Sequence, residues 1–201
     1  MLWCMQTDLL AREDAAALLQ TAGKVIMDSG GAEPREVFAR MESLRAAGLL
    51  VADLAWTRLT RWRELLAHTF AACSGDEPQP VDKVTVSHSG ASPGTEVFYL
   101  AGWLRSAFDP QPACVFAPAG DSELPPGRPA AVALEGPGLS LALAALGGGG
   151  VEVRANESVS WTRIEPRDET SLLEEELGTL GPDPAFEKAF EEAAELARAA
   201  L

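Results

Sequence analysis

The chain has 201 residues, with 16 basic and 30 acidic side chains and a formal net charge of −14. That balance argues against binding a nucleic-acid backbone and against docking on anionic lipid, because both surfaces carry the same sign. An apolar content of 47% is ordinary for a globular protein, and the length allows a sizeable core. The three cysteines, Cys4, Cys73 and Cys114, are widely spaced with no CxxC pair. Reduced, mostly buried thiols are therefore expected, with no zinc site. No run of about 18 apolar residues suggests a membrane span. Met1 to Gln6 lacks the basic start and apolar core of a signal peptide, so a cytoplasmic location is expected.

In chain order, Leu2 to Met5 reads as the tail of a buried strand, and Asp8 to Ala22 as an alanine-rich helix capped by Thr7 or Asp8 and ended by Gly23. Lys24 to Asp28 is a short apolar run of the kind found in parallel strands. Pro34 opens a second helix with Val37, Phe38, Met41 and Leu44 inward, and Gly48 stops it. Asp53 to Leu59 reads as extended or irregular. Thr60 is a good N-cap for a helix from Arg61 to about Ala72. A strand follows over Asp82 to His88, then a helix over Thr95 to Phe108 and a strand over Ala113 to Ala117.

Beyond the Pro/Gly-rich stretch from Pro118 to Pro129 the period changes. Short β runs at Ala130–Glu135, Leu139–Leu146, Val151–Ala155 and Val159–Ile164 are joined by turns, which predicts an antiparallel meander. Two helices close the chain, the first capped by Asp168 or Thr170 and the second opened by Asp183-Pro184. The expected class is α/β. A mostly parallel, Rossmann-like sheet with flanking helices (1–117) leads through a linker (118–129) to an antiparallel β-meander (130–166) and a C-terminal helical pair (167–201).

Chemistry-bearing patterns are sparse. His88, Ser89, Gly90 and Gly94 sit at a strand end ahead of a helix, where open α/β sheets bind ligands, and could form a loop for a small phosphorylated ligand. A packed or surface histidine is the commoner explanation, and neither a GxSxG elbow nor a GxGxxG or P-loop pattern accompanies it. No HExxH or other metal-ligand spacing occurs, so no metal, cofactor or catalytic residue is expected. One stretch stands apart. Trp56 to Arg63 gathers two of the five tryptophans and three arginines, Arg58, Arg61 and Arg63. Trp56 and Trp62 could anchor the core while the arginines pair with acids such as Asp53 or Glu64. Trp and Arg are also the types enriched at interface hot spots.

The same stretch, Asp53-Leu-Ala-Trp56-Thr-Arg58-Leu-Thr-Arg61-Trp62-Arg63-Glu64, resembles the DLxWxRLTPWRE signature of the OpcA family of glucose-6-phosphate dehydrogenase assembly proteins. Lys24-Val-Ile-Met-Asp28-Ser29 is similar to that family's RVIVDS strand. Val84 to Gly90 with Leu100-Ala-Gly102-Trp103-Leu104 is similar to its VxxxHxG…LLAGWL segment, and Asp183-Pro-Ala-Phe186-Glu187 to its terminal D-x-x-Y/F-E. Arg61 stands where the signature has proline, and the family's longer members carry a further domain ahead of the strand that begins here at Leu2.

The resemblance implies a bacterial, non-catalytic allosteric activator that binds glucose-6-phosphate dehydrogenase and promotes its active oligomer in the oxidative pentose phosphate pathway. It carries the partner contact to Asp53, Trp56, Arg58, Trp62 and Arg63. The rival expectations are an α/β domain binding a small phosphorylated ligand through the His88–Gly94 loop, and a truncated relative without activity.

Overall fold

The computed structural model describes residues 2–4, 19, 21–74, 79–120, 122–179 and 181–200. Three short parallel strands, β1 (Leu2–Cys4), β2 (Lys24–Met27) and β3 (Leu50–Asp53), form one sheet in the order β1-β2-β3. β2 is buried along its whole length because both faces are covered. Val25 and Met27 enter the main core, whereas Ile26 joins Ala52, Leu54 and Leu172 in a second cluster. A strand covered twice has no reason to alternate, which explains its unbroken apolar run. At its foot the buried Lys24 amine donates to Glu176 Oε1 at 2.7 Å and to the carbonyls of Glu176 and Thr179 at 3.1 and 2.7 Å. Those bonds tie a C-terminal helix to this sheet and satisfy all three ammonium donors. The helix expected over Asp8 to Ala22 lies almost wholly outside the described residues.

Helix α1 (Pro34–Ala46) crosses from β2 to β3. Glu33 caps it by accepting from Glu36 N at 2.8 Å, Pro34 occupies the first turn, and Gly48 ends it at φ +86°. Two details after it differ from the sequence expectation. Leu50–Asp53 is a strand, and Leu54–Arg58 is not irregular but a short helix, α2, capped by Asp53. Five residues are too few for a 3.6-residue period to show. The next helix, α3 (Thr60–Ser74), also starts without Thr60 as an accepting cap. Leu59 stays in the right-handed helical region, so Arg63 N donates to Leu59 O at 2.9 Å, and the Thr60 hydroxyl donates to Thr57 O at 2.8 Å. The preceding turn supplies the carbonyls that a capping side chain would otherwise replace.

The second sheet is mixed, with order β5-β4-β6-β7-β8-β9. β4 (Lys83–His88) and β5 (Ala113–Pro118) are parallel and joined by helix α4 (Thr95–Ala107). β4 then pairs antiparallel with β6 (Pro129–Gly136), so the meander β6, β7 (Leu139–Ala145), β8 (Gly150–Ala155) and β9 (Ser158–Arg163) is continuous with the parallel pair. Helices α5 (Glu169–Gly178) and α6 (Pro184–Ala199) follow, capped by Asp168 and Asp183. Cys73 and Cys114 are free, half-buried thiols, and burial pushes the Cys114 thiol up to about 11, out of reach of neutral-pH chemistry.

Helix α4 is the spine of the core. Its residues Phe98 and Tyr99 make edge-on contacts with Phe38 of α1, and Phe38 does the same with Phe190 of α6. Gly102 lets α4 and α6 touch backbone to backbone: a Cβ there would lie 2.5 Å from Ala189 O and 2.7 Å from Ala193 N. Gly102→Ala should therefore lower stability by about 2 kcal/mol or more, because two packed helices must separate to admit one methyl. Gly178→Ala, where a Cβ meets nothing within 4 Å, should leave stability the same or raise it by up to about 1 kcal/mol. Urea titration of the two variants checks the contrast.

Candidate functional site

The Trp/Arg stretch is held in place by Asp53, at the seam between β3 and α2. The residue is fully buried, and its carboxylate meets donors from three elements. Oδ1 accepts from Ala55 N and Ser29 N, each at 3.0 Å; Oδ2 accepts from the Ser29 hydroxyl at 2.5 Å and the Tyr99 hydroxyl at 2.9 Å. Burial pushes the Asp53 carboxyl up to about 6 although the Ser29 and Ala55 donors work to lower it. The Tyr99 hydroxyl is held well above its usual range, first by burial and then by Asp53.

Trp56 is buried one turn on. Its indole N–H donates to Asp183 Oδ2 at 3.0 Å, and its ring meets Tyr99 and Phe186. Arg63 closes the outer side, its guanidinium 3.5 Å from the Trp56 ring centroid. Burial pulls the Arg63 guanidinium down to about 10, partly offset by Asp183, Glu175 and Glu64. Its Nε is buried without a hydrogen-bond partner, while Nη2 donates to the Thr60 hydroxyl at 3.2 Å, so stacking on Trp56 and that one bond fix it. Asp53 and Trp56 thus form an interior scaffold, with the half-buried Arg63 stacked over its outer side.

Arg58, Arg61 and Trp62 point the other way. They line one wall of a groove of about 610 Å³ whose other walls are the 122–129 loop, the Gly147–Gly150 turn and residues 164–167. Arg58 donates to Asp28 Oδ2 at 2.7 Å and to Glu96 Oε1 at 2.6 Å, and Arg128 pairs with the same Glu96 oxygen. Burial alone would lower the Arg58 guanidinium, but the bonds and charges of Asp28 and Glu96 hold it above its ordinary range. Arg167, on the far wall, pairs with Glu175 and donates to Ser171 O at 2.6 Å. Arg61 is exposed and pairs with Glu64 at 2.7 Å, one turn along α3. The groove therefore combines four arginines and three glutamates, Glu96, Glu123 and Glu165, with the apolar surface of Trp62, Leu124 and the exposed Leu146.

The second set of candidates is dispersed. His88 is buried at the end of β4, with a single long contact from Nδ1 to Ser89 O at 3.4 Å. The Ser89 hydroxyl donates to Pro125 O and accepts from Arg128 N at 3.0 Å, so it clamps the 125–128 loop. Gly90 turns at φ +72° against Pro126. Gly94 lies so close to Gly127 that a Cβ would come within 2.7 Å of the Gly127 carbonyl. Of the four, Gly94 alone lines a separate cleft of about 540 Å³, together with Gly30, Gly31, Thr95 and Arg128. Sequence reasoning did not find Tyr99, Glu96, Arg128 or Arg167. Tyr99, Glu96 and Arg128 lie far along the chain from the partners they meet, whereas Arg167 pairs locally with Ser171 and Glu175, and each looks like an ordinary helix or loop residue.

Asp53 gives a pH test. Its folded pKa of about 6 stands above the usual 3.8, so its contribution to stability is complete below pH 4 and is lost as pH rises through 6. A rise from 3.8 to about 6 corresponds to about 3 kcal/mol. Urea midpoints at pH 4.5 and 7.5 should show wild type losing stability relative to Asp53→Asn across that interval. A difference between the two proteins that does not change with pH would contradict the assignment.

Residues 50–190 match the profile of a family described as the C-terminal domain of the glucose-6-phosphate dehydrogenase subunit. A putative OxPP cycle protein OpcA of Nostoc punctiforme is 32% identical over 114 residues, covering 53% of this chain and 23% of the relative. Its counterpart in Synechococcus elongatus is 28% identical over 114 residues, covering 53% and 24%. The matched parts thus span about a quarter of those relatives' length. Among solved structures, KijD10, a 3-ketoreductase from Actinomadura kijaniata in complex with NADP and TDP-benzene, superimposes with a TM-score of 0.57 at 10% identity, over 98% of this chain and 77% of that one. A biliverdin reductase from Synechocystis with biliverdin and NADP+ gives 0.52 at 14% identity, over 98% and 78%. At such identities these likenesses speak for a shared Rossmann-like fold alone. The family match covers most of the chain and contains the whole Trp/Arg stretch: the chain belongs to the OpcA family, and what it matches is that family's C-terminal domain.

Proposed function

We propose that the chain acts as a non-catalytic partner of glucose-6-phosphate dehydrogenase, binding the enzyme and favouring its active oligomer in the oxidative pentose phosphate pathway. The observation that carries this reading is the division of the family's signature stretch. Asp53 and Trp56 are buried and Arg63 is half-buried against Trp56, whereas Arg58, Arg61 and Trp62 line the groove. An activator of this kind must hold the active assembly more tightly than the inactive one. Paired guanidinium and carboxylate groups around a half-buried tryptophan, with an apolar floor, suit a segment of the enzyme that is apolar and carries both charges. The buried carboxylates beside the groove are already engaged: Asp53 by four donors and Glu96 Oε1 by two arginines. Groups so occupied are framework for a surface more than acids or bases awaiting a substrate.

A second reading has one feature in its favour, the 540 Å³ cleft where the first turns of α1 and α4 open beside Gly30 and Gly94. A small phosphorylated ligand would fit its size, although Glu33 and Glu96 line it as well. Calorimetric titration with glucose 6-phosphate separates the two readings, because only the second expects saturable heat.

The decisive mixture is this chain with the cognate dehydrogenase, followed by complex mass and substrate affinity. A complex of defined mass is expected, with tighter substrate binding by the enzyme. Arg61→Glu should weaken the complex about tenfold while leaving the melting temperature nearly unchanged, since Arg61 is exposed and its ion pair is with Glu64 on its own helix. Absence of any complex would sink the proposed role, and a complex indifferent to Arg61→Glu combined with Trp62→Ala would move the contact away from the groove.

A further inference from the structure

One face of the six-stranded sheet points into the core and carries Val84, Val132, Leu134, Leu141, Leu143 and Val153. The opposite face is covered by none of the described residues and is unusual in composition. Strand registers place two lateral rows across it. One runs Val115, Thr85, Ala133, Ala142, Arg154, Val159 from β5 to β9. The other runs Ala117, Ser87, Ala131, Ala144, Glu152, Trp161. A water-facing side of an antiparallel sheet ordinarily carries polar residues, and alanine is a poor strand former. Here the middle of the face is alanine, with a shallow hollow of about 250 Å³ over it. At the two edges stand large apolar side chains left in solvent, Val115 at 43%, Val159 at 49% and Trp161 at 67% exposure.

We propose that this face packs against the same face of a second copy of the chain, as a two-fold sheet-on-sheet dimer. Three observations select that occupant. The first is charge. Two copies at −14 repel, so self-association needs a neutral surface, and this one is neutral. Lys83 pairs with Glu135, Arg154 with Glu152, and Arg163 at the rim with Glu165. The second is self-complementarity. A two-fold axis along the strands lays β9 of one copy over β5 of the other. Trp161 then meets Ala117, Val159 meets Val115, Glu152 meets Ser87, and alanine meets alanine in the middle. No like charges face each other in either row, and small side chains let the sheets approach to the usual spacing of about 10 Å. The third is area. Six strands about 4.8 Å apart and about six residues long present roughly 600 Å². The pair then buries about 1,200 Å², the lower bound of a specific interface.

The test is sedimentation equilibrium of the purified 201-residue chain up to about 100 μM, where mass action favours any specific dimer. The expected mass is about twice the 21.2 kDa of one chain. Ala142→Arg and Ala133→Arg, in the middle of the face, should give monomers with unchanged circular dichroism and melting. Trp161→Ala should raise the dissociation constant at least about tenfold, and its largely exposed site makes misfolding no explanation for that loss. Leu177→Arg, exposed on α5, should leave the dimer intact. A wild-type chain that stays monomeric overturns the proposal, as do folded arginine variants that stay dimeric. If the chain alone is monomeric and Ala142→Arg instead abolishes the complex with the dehydrogenase, the face belongs to that enzyme and self-association is overturned. That outcome is separable from failure of the groove, which Arg61→Glu reports.

Discussion

Everything described at the groove depends on one buried carboxylate. Asp53 receives hydrogen bonds from the end of β2, the start of α2 and the middle of α4, so three elements meet on two oxygens. A carboxylate without those partners would not survive full burial, and each partner in turn depends on Asp53 for its own satisfaction. The result is a fixed exit direction for α2. That direction places Trp56 against Tyr99 and Phe186, and within the same short helix delivers Arg58 to Asp28 and Glu96. The surface is a downstream consequence of a polar knot in the interior.

The Trp/Arg stretch is accordingly two layers read as one string. Side chains on one side of the α2–α3 joint turn inward, where Arg63 is held by stacking and desolvated enough to lose part of its basicity. Those on the other side turn outward, where Arg58 and Arg128 share Glu96 between them. The shared carboxylate holds two like charges at one rim and offsets their mutual repulsion, which a pair of free arginines could not achieve. Pre-positioned guanidinium groups of this kind lose little rotamer freedom on meeting a partner, so the cost of ordering is met in folding.

Much of this was legible in the sequence, and the failures are instructive. The helices with capping residues and clear periods were readable: Pro34 and Gly48 frame α1, and Asp183-Pro184 opens α6. The meander announced itself by alternation and turns. β3 and α2 were not readable, because four and five residues give no period and the switch between them happens at a single capping aspartate. The resemblance picked out the right stretch but could not say which of its side chains face out. That is decided by Tyr99, Glu96 and Arg128, residues 46, 38 and 70 positions away from Asp53, Arg58 and Arg58 respectively in a chain whose local pattern gives no hint of the encounter. The His88–Gly94 segment illustrates the converse. Its glycines suggested a ligand cradle, but Gly90 and Gly94 are needed for close approach of the 126–127 backbone.

The knot at Asp53 also sets the matched segment apart from the unit of folding. The segment that matches the family profile runs from 50 to 190 and begins within β3. Ser29 and Asp28, which serve Asp53 and Arg58, lie ahead of that boundary, and α6 continues past it to Ala199. A piece cut at the profile's limits would keep every residue of the signature and lose Ser29, which supplies two of the four donors to its central acid. The matched segment is therefore not what stands up alone, and the short parallel sheet ahead of it belongs to the same physical object.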